Sequence, residues 1–320
     1  MSEAGARTAR AATVHPAGTI TVDGEHAGRR LDKFLRSRFR GVPAGLLFRL
    51  IRQGRLRVNG RKTKQDYRLA EGDVIDVPEL RVDAAASPKR RVPAGLLEQL
   101  RDVVLYEDRD LLVVNKPAGV AVHKGTDVPA GVIEALRQLR PDLPELELGH
   151  RLDRDTSGVL ALAKTPSMLR HLHELFRDSG HEIERHYLAV VAGGWPAGTT
   201  VLDAPLRRTE ARVVVDAAGQ RAETRVRAHR RVAGRATIVA IRLLTGRKHQ
   251  IRVHLQHAGH PIAGDDRYGD QDFNRRVEQL GGTGLYLHAA KVVVPRPDGT
   301  ELVVTAPMPP RWDRLLDAGL

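Results

Sequence analysis

From Ala84 to Arg90 the chain reads Ala-Ala-Ala-Ser-Pro-Lys-Arg, small, polar and aperiodic, and it separates two bodies of apolar patterning. A chain interrupted in this way folds as two units, and 320 residues are ample for two cores. We expect a linker over 83–95, a small domain over 28–82 and a large one over 96–320. Residues 1–27 read as a disordered tail, since Met1 to Ile20 lack the roughly 7–15-residue apolar core of a secretory signal. No apolar run approaches the ~18–20 residues of a membrane span. The absence of cysteine excludes a disulfide scaffold, thiolate-held zinc, iron–sulfur clusters and a cysteine nucleophile.

Charge is concentrated in the small domain. The chain carries 52 Lys and Arg against 39 Asp and Glu, a net +13, and Gly28 to Leu80 alone holds 14 basic and 6 acidic residues, a net +8. Such a balance points to a polyanionic partner. Leu31, Phe34, Leu35 and Phe39 recur at helical spacing, and Leu46, Leu47, Leu50 and Ile51 repeat the pattern after Pro43, until Gly54 stops it. Strands follow at Leu56 to Val58, entering an Asn59-Gly60 turn, and at Val74 to Val77. Arg36, Arg38, Arg49, Arg52, Arg55 and Arg57 crowd the polar surfaces of this helix–helix–strands module.

Beyond the linker, strand and helix signals interleave. Strands are expected at 103–108, 111–115, 159–164, 187–191, 224–228, 236–244, 287–294 and 302–305, with helices at 132–140, 165–180 and 248–258. Many strands with few crossover helices predict an α+β fold on a largely antiparallel mixed sheet. No phosphate-binding loop and no dinucleotide-binding glycine motif occurs. Among the 14 histidines, His181 and His186 are five apart and fall on different helix faces, and Gly259 and Pro261 interrupt His254, His257 and His260. We expect no metal site, and structural or RNA-facing histidines.

The densest polar cluster in the apolar body is Gly149-His150-Arg151-Leu152-Asp153-Arg154-Asp155-Thr156-Ser157-Gly158, directly before a strand. A surface turn of mutually neutralising charges would look similar. A glycosidase pair of Asp153 and Asp155 fails on geometry, because carboxylates two apart in an extended segment cannot flank a sugar ring. His150-Arg151-Leu152-Asp153, followed by Thr156-Ser157-Gly158, resembles the signature loop of the A-type family of pseudouridine synthases, which modify ribosomal and transfer RNA. Val113 to Gly119, Arg185 to Gly193 and Leu244 to Leu255 resemble its other motifs, in the family's order. The basic module is similar to the S-four type RNA-binding domain. Gly41-Val42-Pro43 with Leu47 to Asn59 looks most like the branch acting on large-subunit (23S) ribosomal RNA.

The resemblance implies a cofactor-free isomerisation in structured RNA: the bond from uracil N1 to the sugar breaks, the base turns, and C5 attacks the same carbon. It assigns Asp153 as the catalytic carboxylate, Arg252 as the cation beside it, Tyr187 as the ring stacked on uracil, and Arg151 as the side chain entering the RNA where the base has flipped out. Arg38, Arg49, Arg52, Arg55 and Arg57 would meet phosphates, and Lys116, His150, Thr156 and Arg247 would order loops or touch RNA. Asp153 as a covalent nucleophile, or as base in an elimination, both remain open. So do a catalytically silent RNA-binding or assembly factor, a transfer RNA substrate, and a metal-dependent hydrolase. We expect a monomer in the bacterial cytoplasm, without a membrane partner.

Overall fold

Every residue of the strand Ser157–Ala163 is buried, and alternation explains why. Leu160 and Leu162 enter one apolar cluster, while Val159, Ala161 and Ala163 enter another on the opposite face. The neighbouring strand does the same with Leu112 and Val114 against Leu111 and Val113. A strand covered on both faces reads as a continuous apolar run, which is how Val159 to Ala163 appears in the sequence.

This computed structural model describes residues 13–39, 41–82, 92–125, 128–177, 183–232, 235–318 and 320. It divides into two compact units, Met1–Arg91 and Val92–Leu320. The first contains β1 (Thr13–His15), β2 (Gly18–Thr21), α1 (Leu31–Arg38), α2 (Ala44–Gln53), β3 (Arg57–Val58), β4 (Val74–Val77) and β5 (Leu80–Val82). Strands pair in the order β2-β4-β3, and β1 pairs with β5. Leu31, Leu35, Leu47, Ile51 and Ile75 form its buried centre. Asn59 and Gly60 both have positive φ, 53° and 70°, and close a tight turn between Val58 and Arg61.

The tail expected over 1–27 needs correction for its second half. Ile20 pairs with Ile75 and packs against the cluster, and Val22 is buried within it. The Thr-Ile-Thr-Val alternation is too short to stand out in sequence, and only its partner strand reveals it. Residues 1–12, and 83–91 of the expected linker, lie outside the described residues. The linker's last residues also need correction. Pro93 opens a helix at Ala94, and Val92, Leu96 and Leu97 pack on the core of the second unit.

The second unit is α+β. After α3 (Ala94–Gln99) come β6 (Val104–Glu107), β7 (Leu111–Lys116), α4 (Val132–Leu139), β8 (Glu147–Leu148), β9 (Ser157–Ala163), α5 (Pro166–Arg177) and β10 (Glu184–Ala192). There follow β11 (Thr199–Leu202), β12 (Leu206–Arg208), β13 (Val213–Val215), β14 (Thr224–Val232), β15 (Ala236–Leu243), α6 (Gln250–His257) and α7 (Gln271–Gln279). The unit ends with β16 (Leu287–Pro295), β17 (Glu301–Thr305) and α8 (Pro310–Asp317). Ten strands form one sheet, ordered β11-β14-β15-β10-β16-β9-β7-β6, with β17 on β16 and β8 on β9. All its pairs are antiparallel except β9 with β16. Thr165 accepts the Met168 N–H at 3.3 Å and Pro166 opens α5, as those residue types favour. No helix among the described residues is long and apolar enough to cross a membrane.

The parallel junction is tight. Gly158, at φ +109°, lies opposite Ala289, and a Cβ there would stand 2.2 Å from the Ala289 carbonyl oxygen. Gly158→Ala is therefore expected to cost about 3 kcal/mol or more in urea unfolding. A loss below about 1 kcal/mol would mean that the two strands part easily here.

Candidate active site

The loop 149–156 arrives at the point where β9 meets β16, next to β10, so its side chains face those of the sheet centre. Six interior bonds hold it and its flanks. Gly149 donates its N–H to Ala161 O at 3.0 Å, and His150 Nε2 accepts the Ala161 N–H at 3.0 Å. Ser157 Oγ and His288 Nδ1, both buried, are 2.8 Å apart. Lys116, with no exposed surface, donates from Nζ to the carbonyls of Pro117 (2.8 Å), Val120 (2.7 Å) and Arg154 (2.8 Å). Burial pulls its amine down to about 7, while three carbonyl acceptors favour the ammonium form.

A second loop completes the site, and Gln250 explains its shape. This buried side chain accepts from Thr245 Oγ1 (2.8 Å) and the Arg247 N–H (3.0 Å), and it donates to Glu223 O (3.0 Å) and Thr224 Oγ1 (2.9 Å). The helix expected from 248 therefore starts at Gln250, after His249 at φ 55°, a strained value for a non-glycine residue.

The two loops and β10 enclose a cleft of about 380 Å³. Asp153, Arg151, Tyr187, Arg252, His150, Thr156 and Arg247 all line it, which brings most of the expected site residues together. Among the described residues Asp153 is its one carboxylate, set among six lysines and arginines. Arg151 and Arg247 are exposed, and Arg247 Nε also donates to Arg221 O at 3.1 Å. Burial pushes the Tyr187 hydroxyl up to about 12, so it stays protonated. Burial, with the Arg185 charge beside it, pushes His150 down to about 3; the ring is neutral and stacks on Phe176 at 4.2 Å.

The structure narrows two expectations. Lys116 is sealed beneath the loop and cannot meet a phosphate; it orders the Asp153 loop through Arg154 O. Arg252 is buried beside Asp153, and its shortest bonds go to Asp265. Nε and one terminal nitrogen donate to Asp265 at 2.8 and 2.6 Å, while the other terminal nitrogen stands 3.9 Å from Asp153 Oδ2. Burial opposes both charges, yet their mutual bonds prevail, raising Arg252 and lowering Asp265 from their ordinary values.

Sequence reasoning missed Asp265, Tyr268 and His249. The polar run Asp265-Asp266-Arg267-Tyr268 after Ile262-Ala263 was the available signal. Tyr268 lies 5.1 Å beneath the Arg252 guanidinium, and its oxygen accepts the Val213 N–H at 3.0 Å. That leaves its own proton for His249 Nδ1, 2.9 Å away. Burial lowers the His249 pKa, partly offset by Asp153, so the ring is neutral with its Nε2–H 3.8 Å from Asp153 Oδ2. His254 serves the fold: it bonds Thr224 Oγ1 and Ala204 O, both at 2.9 Å. Among the described residues no group of three His, Asp or Glu is arranged to hold a metal.

Arg38, Arg49, Arg52, Arg55 and Arg57 belong to the first unit, where all are exposed. Arg49 and Arg55 border a groove of about 260 Å³ that Arg81 and Glu79 also line.

Comparison with known proteins matches residues 110–257 to the RNA pseudouridylate synthase family and residues 29–75 to the S4 domain. The ribosomal large subunit pseudouridine synthase C of Pasteurella multocida (strain Pm70) is 44% identical over 93% of this chain and 93% of its own. The protein of that name from Escherichia coli (strain K12) is 45% identical over 90% of this chain and 92% of its own. Human RNA Pseudouridylate Synthase Domain Containing 4 superposes with a TM-score of 0.58 at 26% identity, over 70% of this chain and 95% of that one. Relatives at this identity, aligned through both the basic module and the cleft-bearing unit, leave one assignment: the chain belongs to the RNA pseudouridylate synthase family, enzymes that isomerise uridine to pseudouridine.

Proposed function

We propose that the chain isomerises specific uridines of large-subunit (23S) ribosomal RNA, as a monomer in the bacterial cytoplasm, with Asp153 as its catalytic carboxylate and no metal or organic cofactor. The observation that carries this reading is Asp153, the single carboxylate of the cleft among the described residues, facing Arg252 and the neutral N–H of His249. The names of the relatives supply the RNA class.

The chemistry needs little else. Isomerisation moves one glycosidic bond within one nucleoside, so no electron donor, hydrolytic water or co-substrate enters. Asp153 must be ionised to act at the sugar, and the nearby Arg252 charge favours that form. Tyr187 keeps the uracil stacked while it turns. Arg151, exposed at the mouth, occupies the gap that the flipped nucleotide leaves in the RNA. The exposed arginines of the first unit provide affinity and register through phosphates.

The test is tritium release from RNA labelled at uridine C5, in buffer containing a chelator. Release is expected from unmodified 23S ribosomal RNA and not from transfer RNA. Release only from transfer RNA would move the substrate class, and a requirement for added metal would contradict the cofactor-free scheme.

A further inference from the structure

One partly buried cation of the cleft has no task in the scheme above. Arg185 is half-buried on β10, two residues before Tyr187, and lines the same cleft. One terminal nitrogen donates to Leu244 O at 3.0 Å; Nε is buried with no hydrogen-bond partner. Among the described residues no carboxylate pairs with it, whereas Arg252 in the same cleft is gripped bidentately. The loop makes room for it, because a Cβ at Gly246 would stand 2.8 Å from an Arg185 terminal nitrogen. An unpaired, desolvated cation is costly to hold. A protein retains one where an anion arrives.

The reaction creates such an anion. When N1 leaves the sugar carbon, the bonding pair stays on uracil, and the charge spreads over N1 and the carbonyl oxygens. C5 then attacks the same carbon, forming the new bond, after which C5 loses its proton and N1 gains one, so atoms and electrons balance. We infer that Arg185 donates its open N–H groups to the uracil carbonyl oxygens and stabilises the detached uracil anion. The inference rests on the placement of uracil against Tyr187 proposed above. Such an interaction is strongest when charge has developed, so it raises kcat and leaves RNA affinity nearly unchanged. A phosphate contact would do the reverse, weakening binding and its salt dependence when lost.

Leaving-group chemistry separates these cases. Fluorine at C5 withdraws electrons and makes the uracil anion more stable by itself. We would compare wild type, R185M and R185K in single turnover on ribosomal RNA carrying uridine or 5-fluorouridine, following nucleoside rearrangement by chromatography and mass spectrometry, with RNA affinity measured alongside. R185M is expected to slow the uridine reaction about 100-fold or more. On 5-fluorouridine its deficit should shrink to roughly a tenth of that, and R185K should fall between wild type and R185M on uridine. Equal deficits on both RNAs, or a loss confined to affinity, would overturn the assignment. If R185M does not fold, R185K carries the same comparison: a deficit that shrinks on 5-fluorouridine supports the assignment, and one that does not overturns it. A wild-type protein inactive on both RNAs would instead bring down the proposed function beneath it.

Discussion

Asp153→Asn is expected to reduce pseudouridine formation by on the order of 10⁴-fold or more, while leaving the fold and RNA affinity intact. The amide keeps the side chain's shape but has no negative charge to offer the sugar, whether as nucleophile, base or stabiliser. Such a loss corresponds to about 5.5 kcal/mol of transition-state stabilisation. The fold should tolerate the change, because Asp153 is a quarter exposed and its two polar neighbours, His249 and Arg252, stand 3.8 and 3.9 Å away with other partners of their own. Arg252 keeps Asp265, and His249 keeps Tyr268. RNA binding should hold or tighten slightly, since the cleft loses a carboxylate. Filter binding and tritium release on the same preparation would check both halves, and activity within tenfold of wild type would remove Asp153 from the chemistry.

The legible parts of this protein were those written in local pattern. The double-faced run at 159–163, the Thr165-Pro166 helix start and the Asn59-Gly60 turn each depend on a few adjacent residues, and each appears where the pattern put it. Helix α7 was missed because Phe273 and Val277 are its only apolar pair, a stripe too thin to register. What starts it is the Asp270 side chain, which accepts the Phe273 N–H at 2.8 Å. Pairings across long sequence separations were beyond reach. For Lys116, ordering a loop and touching RNA stayed alternatives because nothing in its motif says that Arg154 O, 38 positions on, will lie 2.8 Å from its amine. Asp265 was beyond reach for the same reason: the carboxylate that holds Arg252 is 13 residues downstream, in a loop without periodicity.

That carboxylate is the site of the largest expected effect on stability. Asp265 has no exposed side-chain surface and accepts four bonds, from Arg252 at 2.8 and 2.6 Å and from the Arg267 and Tyr268 N–H groups at 3.0 and 2.9 Å. Asp265→Ala would strand the buried Arg252 charge and two backbone donors, at an expected cost of about 3–5 kcal/mol. The pH dependence has a definite sign. The Asp265 pKa is lowered on folding, so its stabilisation is complete above the ordinary carboxylate range near 4 and is lost as pH falls through the depressed value. The stability gap between wild type and Asp265→Ala should therefore narrow on acidification, measured by urea unfolding. Pairing the change with Arg252→Met removes the stranded charge and should recover part of the stability, a positive coupling of adjacent groups. It should recover no activity, because Asp153 would still lack its cation. A double variant no more stable than Asp265→Ala would show that the pair does not act as one buried unit, and the contrast between restored folding and absent turnover would separate holding Arg252 in place from using its charge.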